Sequence, residues 1–193
     1  MKTTSRTQRR KTLPALPPTW LVGKKIRLRT VEPADVPTLH RWINTSPARE
    51  WLITRWPFSE AAEQDWAARA SIDPQHRAFV IQTSGGVDIG VVGLMGEGSR
   101  ATLGIAIHDD RYWNGGYGTE AVELLVDGAF RVLPLERIEL KVYPDNQRAI
   151  RCYVKAGFKR EGVLRSHEFH EGGFADVLVM SILRREWVKK RSS

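Results

Sequence analysis

A short run that contains three glycines constrains the fold of this chain more than any other feature. Residues 112–121 include Gly115, Gly116 and Gly118. Residues 101–107 before them alternate apolar with small or polar side chains, which predicts a strand. Apolar residues after them recur at the spacing of one helix face, at Ala121, Leu124, Leu125, Gly128, Ala129 and Val132. Glycines admit a ligand close to the backbone, and the free amides of a helix N-terminus favour an anion, so this unit predicts a site for a phosphate-bearing cofactor.

Composition indicates one soluble domain with a single core. The 193 residues are 41% hydrophobic and 27% charged, and no run approaches the roughly 18 apolar residues of a membrane span. No membrane association is therefore expected. The only cysteine, Cys152, cannot form an internal disulfide and indicates a reducing, cytoplasmic setting.

The formal net charge is +8 at pH 7, and many of the positive charges lie near the two ends of the chain. We therefore expect a polyanionic cofactor rather than direct nucleic-acid binding. The pattern divides the chain into a flexible basic, proline-rich arm (1–19), a folded domain (20–188) and a basic tail (189–193). A tether to RNA or the ribosome is the alternative interpretation of the arm.

The order of predicted elements gives the fold class. A strand (24–30) precedes two helices that begin after Asp35 and Ser59, and three strands follow (78–82, 89–94 and 101–107). After the helix behind the glycine loop come a strand (138–142), a helix (147–156) and two strands (158–164 and 177–183). This order predicts an α+β (mixed α/β) fold with a single, central, mostly antiparallel twisted sheet flanked by helices.

Two segments resemble one known family. Residues 113–121, Trp-x-x-Gly-Tyr-Gly-Thr-Glu-Ala, are similar to the pyrophosphate-binding motif of the GNAT acetyltransferase superfamily, although Trp113 stands where the wider superfamily usually has Gln or Arg. Residues 146–158, Asn-x-x-Ala-x-x-x-Tyr-x-Lys-x-Gly-Phe, are similar to its other cofactor-side motif. The branch of ribosomal-protein N-terminal (alanine/serine) acetyltransferases looks closest, and the resemblance extends over 21–188.

The resemblance implies the GNAT fold and direct transfer of an acetyl group from acetyl-CoA to an amine. It implies that the pyrophosphate binds at the loop and helix start, through Trp113, Asn114, Gly115, Gly116, Tyr117, Gly118 and Thr119. It implies that the pantetheine arm pairs with the backbone of Ile105, Ala106 and Ile107, with Asn146 as a further contact. Tyr153 matches the acid that protonates the leaving thiolate. The alternatives are that Tyr153 is a core aromatic and that Asn146 is a plain helix cap.

The general base and the acceptor are less defined. Many relatives have Glu where this chain has Thr102, which leaves His108, Glu97 or a water chain as candidates. An α-amine, with a pKa of about 7.7–8.0, needs such help less than a lysine, with a pKa of about 10.4. This favours a protein or peptide N-terminal α-amine as acceptor, with a ribosomal-protein N-terminus as the partner. A polyamine or aminoglycoside acceptor, and a non-catalytic acyl-CoA-binding module, are the alternatives, and a homodimer is left open.

We expect the acceptor pocket to form from residues 42–66 and 165–176. Trp51, Trp56 and Trp66 are either lining or core residues. His167, Glu168, His170 and Glu171 lack the spacing of a zinc motif, so no metal site is expected. Cys152 is expected to be a buried, inert thiol.

Overall fold

The computed structural model describes residues 18–53, 56–96, 98–170 and 172–191. The eight strands are β1 Thr19–Val22, β2 Ile26–Thr30, β3 His76–Thr83, β4 Asp88–Met95, β5 Arg100–Ile107, β6 Arg137–Val142, β7 Lys159–His170 and β8 Gly173–Leu183. The five helices are α1 Val36–Thr45, α2 Glu60–Ile72, α3 Tyr117–Val132, α4 Gln147–Ala156 and α5 Arg184–Arg191.

The strands form one sheet in the order β1-β2-β3-β4-β5-β6-β8-β7. Every neighbouring pair is antiparallel except β5 and β6, which are parallel. The β5–β6 register covers only Arg100–Thr102 against Arg137–Glu139, although both strands continue further. The predicted α+β fold on a single, mostly antiparallel sheet is confirmed, and the sheet opens at this one parallel pair.

Local sequence signals explain where the helices start and stop. The Ser59 hydroxyl accepts a hydrogen bond from the amide of Ala62 at 3.2 Å and caps α2, as predicted. At α4, the Asn146 side chain accepts from the amide of Ala149 at 3.1 Å. The same helix ends at Gly157, whose φ of 107° lies in the left-handed region that glycine tolerates.

The core lies against α3. Its buried face packs on the inner strands and is almost fully shielded from solvent at Ala121, Val122, Leu125, Ala129 and Phe130. A smaller cluster joins α1, α2 and β3. These contacts hold the N-terminus of α3 in place beside the opening between β5 and β6. None of the described helices is both long and apolar enough to span a membrane.

The two ends of the fold differ from the prediction. Thr19, assigned to the arm, begins β1, where Trp20 stacks on Phe79 with ring centroids 4.6 Å apart. The unpredicted α5 makes residues 189–191 of the predicted tail helical. The strand β1 and the helix α5 are short and lack a regular apolar pattern. Their positions depend on contacts with distant residues, such as that between Trp20 and Phe79. Residues 1–17 and 192–193 lie outside the described residues.

Candidate active site

The diverging strands β5 and β6 open a cavity of about 490 Å³. It is lined by the second half of β5, the glycine loop, the start of α3, one face of α4, the end of β6 and the segment after α1. Because the pairing with β6 stops after Thr102, the backbone beyond it has an open edge in the cavity. An extended ligand can pair with this edge as an added strand would.

The glycine loop adopts backbone conformations that its sequence makes accessible. Asn114 has a φ of 60° and Gly116 a φ of 84°, both in the left-handed region. Gly116 is the N-cap of α3, and its carbonyl accepts the first helical hydrogen bond, from the amide of Glu120 at 3.0 Å. The amides of residues 117–119 precede that bond and have no partner within the helix, so they are available to an anion; that they bind one stays a prediction.

The turn between β1 and β2 brings a cation to this loop. The Lys25 ammonium donates to the carbonyl of Gly115 at 2.7 Å, and the Lys25 amide donates to the Glu120 carboxylate at 3.0 Å. A Cβ at Gly23 would lie 2.1 Å from that carboxylate, so a side chain at this position would displace Glu120 from the Lys25 amide. Lys25 could not be predicted from the sequence, because nothing there relates it to a loop 90 residues away.

Gly118 leaves space between β5 and α4. A Cβ there would lie 3.7 Å from the Cys152 sulfur and 3.9 Å from Cγ1 of Ile107. Burial raises the pKa of the Cys152 thiol. The thiol is hydrogen-bonded to the side chain of Thr119. Cys152 is thus a mostly protonated, half-buried group in the cavity wall rather than the fully buried thiol expected, and its inertness stays a prediction.

Trp113 links the loop to β5 and to α4. Its indole Nε1 donates to the carbonyl of Ile107 at 2.8 Å, and the guanidinium of Arg148 lies 3.3 Å from the ring centroid. Arg148, Arg151 and Lys155 follow one another at helical spacing on α4 and all line the cavity. Their i, i+3, i+7 spacing is readable from the sequence, although the resemblance implies cofactor or catalytic roles only for Asn146 and Tyr153 on this segment.

Tyr153 and Asn146 lie in the cavity wall. Tyr153 is only 7% exposed, and burial raises the pKa of its hydroxyl above the ordinary value of 10. The hydroxyl therefore stays protonated throughout the physiological pH range. Asn146 is equally buried and uses its side-chain oxygen for the α4 cap, which leaves the amide nitrogen for a ligand.

The structure brings most of the predicted site residues together. All of them line the cavity except Gly115, whose carbonyl binds Lys25, and Tyr117, whose ring packs edge-on against Tyr112 at 5.3 Å. The roles assigned to these residues remain predictions. Trp51 lines the cavity, whereas Trp56 is 82% exposed and Trp66 packs edge-on against His76 outside it.

The candidates for the general base do not converge on the cavity. Thr102 lines it, but a hydroxyl is not a base at neutral pH. The buried His108 is not among the lining residues: its ring stacks on Trp42 at 5.0 Å, and Nδ1 is hydrogen-bonded to the Ser46 hydroxyl at 2.7 Å. Burial lowers the pKa of His108 to about 4, which makes it a weak proton acceptor. Glu97 lies outside the described residues.

The buried His108 predicts a pH-dependent stability. Its pKa is about 4 in the fold and about 6.5 in the unfolded chain, so between these values the unfolded state binds more protons. The free energy of unfolding should fall by about 3 kcal/mol from this group as the pH is lowered from 7 to 4. Urea titrations across this range should show a shallower pH slope for His108→Asn than for the native protein. Equal pH slopes for the two proteins would show that burial does not lower the pKa of His108 in the fold.

The residues with metal-like chemistry on the β7–β8 hairpin are engaged with neighbours. The Lys141 ammonium donates to Nε2 of His167 at 2.9 Å, and His170 packs on Tyr143 with ring centroids 4.6 Å apart. Glu171 lies outside the described residues. Within the described ranges, no three His, Cys, Asp or Glu side chains lie close enough to hold a metal ion.

Comparisons with known proteins agree with this geometry. The uncharacterized N-acetyltransferase p20 of Bacillus licheniformis is 38% identical over 91 residues, which span 47% of this chain and about half (51%) of p20. The spermidine N(1)-acetyltransferase of Escherichia coli K12 is 29% identical over 172 residues, which cover 87% of this chain and 91% of that enzyme.

A solved structure shares most of the fold. The spermidine N-acetyltransferase of Vibrio cholerae, in complex with CoA and spermine, superposes with a TM-score of 0.77 at 25% identity, over 84% of this chain and 98% of that one. The sequence profile of the acetyltransferase (GNAT) domain matches residues 25–159, well over half of the chain. This protein therefore belongs to the GNAT acetyltransferase family.

Proposed function

We propose that this protein is an acetyl-CoA-dependent N-acetyltransferase that acts on a primary amine of a small molecule. The observation that carries the proposal is the cavity in which the free amides of α3, the open edge of β5 and the Tyr153 hydroxyl meet. Family membership and the full-length similarity to spermidine acetyltransferases support it.

The residues present fit coenzyme A. Gly116 and Gly118 leave the first turn of α3 accessible to a pyrophosphate, and Lys25 adds a positive charge beside it. Arg148, Arg151 and Lys155 supply further cations on the facing helix. The open edge of β5 at Ile105 presents backbone groups to the amides of a pantetheine arm, whereas Ala106 pairs with Val91 of β4.

The chemistry assigns separate roles to the residues around the thioester. Acetyl-CoA supplies an activated acetyl group; a carbon–nitrogen bond forms as the carbon–sulfur bond breaks, the amine loses a proton and the thiolate gains one. Tyr153 is buried and protonated, so its hydroxyl can donate that proton to sulfur. No side chain with a suitable pKa faces the amine among the described lining residues, and we infer that water accepts its proton.

The acceptor class rests on the relatives. A spermidine acetyltransferase and an aminoglycoside N(6')-acetyltransferase of Klebsiella pneumoniae both align over most of this chain. These relatives support the small-molecule alternative better than a protein N-terminus. The interpretation of a ribosomal-protein N-terminal α-amine, the homodimer and the cytoplasmic location remain predictions.

An acceptor screen tests the proposal. Purified protein is incubated with acetyl-CoA and, separately, with alkyl amines, spermidine, aminoglycosides and peptides that represent ribosomal-protein N-termini. Thiol release should be stimulated by small-molecule amines more than by the peptides. Stimulation by peptides alone would support the N-terminal alternative. Binding of acetyl-CoA without turnover of any amine would support a non-catalytic module.

A further inference from the structure

The cavity wall carries positive charge and no described negative charge. Its cationic lining residues are Arg148, Arg151 and Lys155 on α4 and Lys141 on β6. Among the lining residues that the structure describes, none is Asp or Glu. Burial lowers the pKa of Arg148, and attraction by the carboxylate of Glu50, on the neighbouring segment, partly offsets this effect. The Asp176 carboxylate accepts a hydrogen bond from the Ser166 amide at 2.8 Å.

Lys141 lies at the reacting end of the cavity. The phosphate site follows the end of β5, and an arm that pairs with β5 runs back from it towards Thr102, where β5 and β6 separate. Lys141 is two residues beyond Glu139, the last β6 residue paired with β5. The three cations of α4 can neutralise cofactor phosphates. Lys141 lines the cavity from β6, the strand that separates from β5 at this end, and its ammonium also donates to Nε2 of His167, which lies 3.5 Å from the Glu168 carboxylate.

The remaining wall at that end is apolar. Ile43 lines it from α1, Trp51, Leu52 and Ile53 line it from the segment after α1, and Met95 lines it from β4. Ile53 is 41% exposed and Met95 52% exposed, so two large apolar side chains stand open at the rim. Such a rim gains free energy by covering an apolar group and offers no carboxylate to pair with a second ammonium.

We infer that the acceptor is a primary mono-amine whose remainder is uncharged or anionic, in contrast to the polycationic amines of the relatives. Each additional ammonium would enter a cavity that already carries Lys141 and would find no carboxylate among the described lining residues. A distal carboxylate would instead meet an attractive cation. This inference rests on the proposed function, since it narrows the acceptor of the same site.

Three five-carbon amines, 5-aminopentanoate, pentylamine and cadaverine, and the longer spermidine test the inference. The first three carry a primary amine on a five-carbon chain and differ at the distal end, which is a carboxylate, a methyl group or a second ammonium; the rate for cadaverine is halved because either end can react. Spermidine adds a third ammonium. We expect kcat/KM to fall by about tenfold from pentylamine to cadaverine, the size of a like-charge interaction at a partly exposed site, and further for spermidine. 5-Aminopentanoate should equal or exceed pentylamine.

Reversing the charge of Lys141 should invert this order. In Lys141→Glu, cadaverine should become the better acceptor, by about tenfold over 5-aminopentanoate. Lys159→Glu makes the same change of net charge on β7, where the side chain is 69% exposed and pairs with Glu186. That control should keep the native order, since Lys159 does not line the cavity.

The same four amines are titrated calorimetrically into the CoA-saturated protein, so the order of affinities is measured without turnover. Tighter binding or faster turnover of cadaverine or spermidine than of pentylamine would overturn the inference, as would failure of all four to bind. The expected order of binding with no acetylation of any amine would keep the inference about the cavity and contradict the proposed function.

Discussion

Tyr153→Phe should lower kcat for acetyl transfer by about 100-fold, the lower end of what a positioned general acid contributes. The substitution removes one oxygen from a side chain that is 7% exposed and lines the cavity. KM for acetyl-CoA should change little, because the ring remains and the cofactor is held elsewhere. Steady-state thiol release at saturating acetyl-CoA and acceptor measures both quantities.

The native pH profile adds a second measurement. Burial raises the pKa of Tyr153, so its hydroxyl stays protonated through pH 10 and the acid is not lost below that value. The rate should rise as the acceptor amine deprotonates, with no fall from Tyr153 up to pH 10. In Tyr153→Phe the dependence on the acceptor should remain and the whole profile should lie lower.

Tyr117→Phe is the matched control. It also removes a tyrosine hydroxyl beside the cavity, but the Tyr117 ring packs against Tyr112, and its expected part in cofactor binding is played by the backbone amide. Turnover of this variant should stay near the native value. Unchanged turnover of Tyr153→Phe would exclude Tyr153 as the acid and leave it as the core aromatic that the sequence also allowed.

The cofactor side of the site could be predicted from the sequence because its determinants are local. Gly116, Gly118 and the apolar face of α3 are contiguous, and Asn146 and Tyr153 lie on one helix that begins and ends with readable capping signals. Backbone conformation and helix phase then place these residues on the two walls of the opening. Such features depend on a few neighbouring residues and little on the packing of the rest of the chain.

The acceptor side could not be predicted in the same way, because its determinants are tertiary. Lys141 contacts His167, which is 26 residues further along the chain. His108 follows β5 in sequence and looks available as a base, yet packing against Trp42 buries it away from the lining residues. Sequence periodicity assigns a residue to a face of an element but not to the neighbour that will cover that face.

Gly118→Ala should weaken acetyl-CoA binding by about 10- to 100-fold while the protein keeps or gains stability. The new methyl group would make only ordinary contacts, 3.7 Å from Cys152 and 3.9 Å from Ile107, so the empty fold accepts it. Inside a helix, alanine is more favourable than glycine by about 0.5–1 kcal/mol. The methyl group nevertheless fills part of the gap through which a pyrophosphate reaches the first-turn amides. One lost charge-assisted hydrogen bond of about 1.5–3 kcal/mol corresponds to that loss of affinity.

A variant that binds acetyl-CoA more weakly but unfolds no more easily has lost a ligand contact and not a packing contact. Calorimetric titration with acetyl-CoA gives the affinity, and urea unfolding without ligand gives the stability. Gly162→Ala on the edge strand β7 is the control, since its Cβ would meet nothing within 4 Å, and it should leave the affinity unchanged. If Gly118→Ala lowers stability as much as affinity, the glycine is required by the packing of α3 on α4. If it binds acetyl-CoA as the native protein does, the first turn of α3 is not where the phosphates bind.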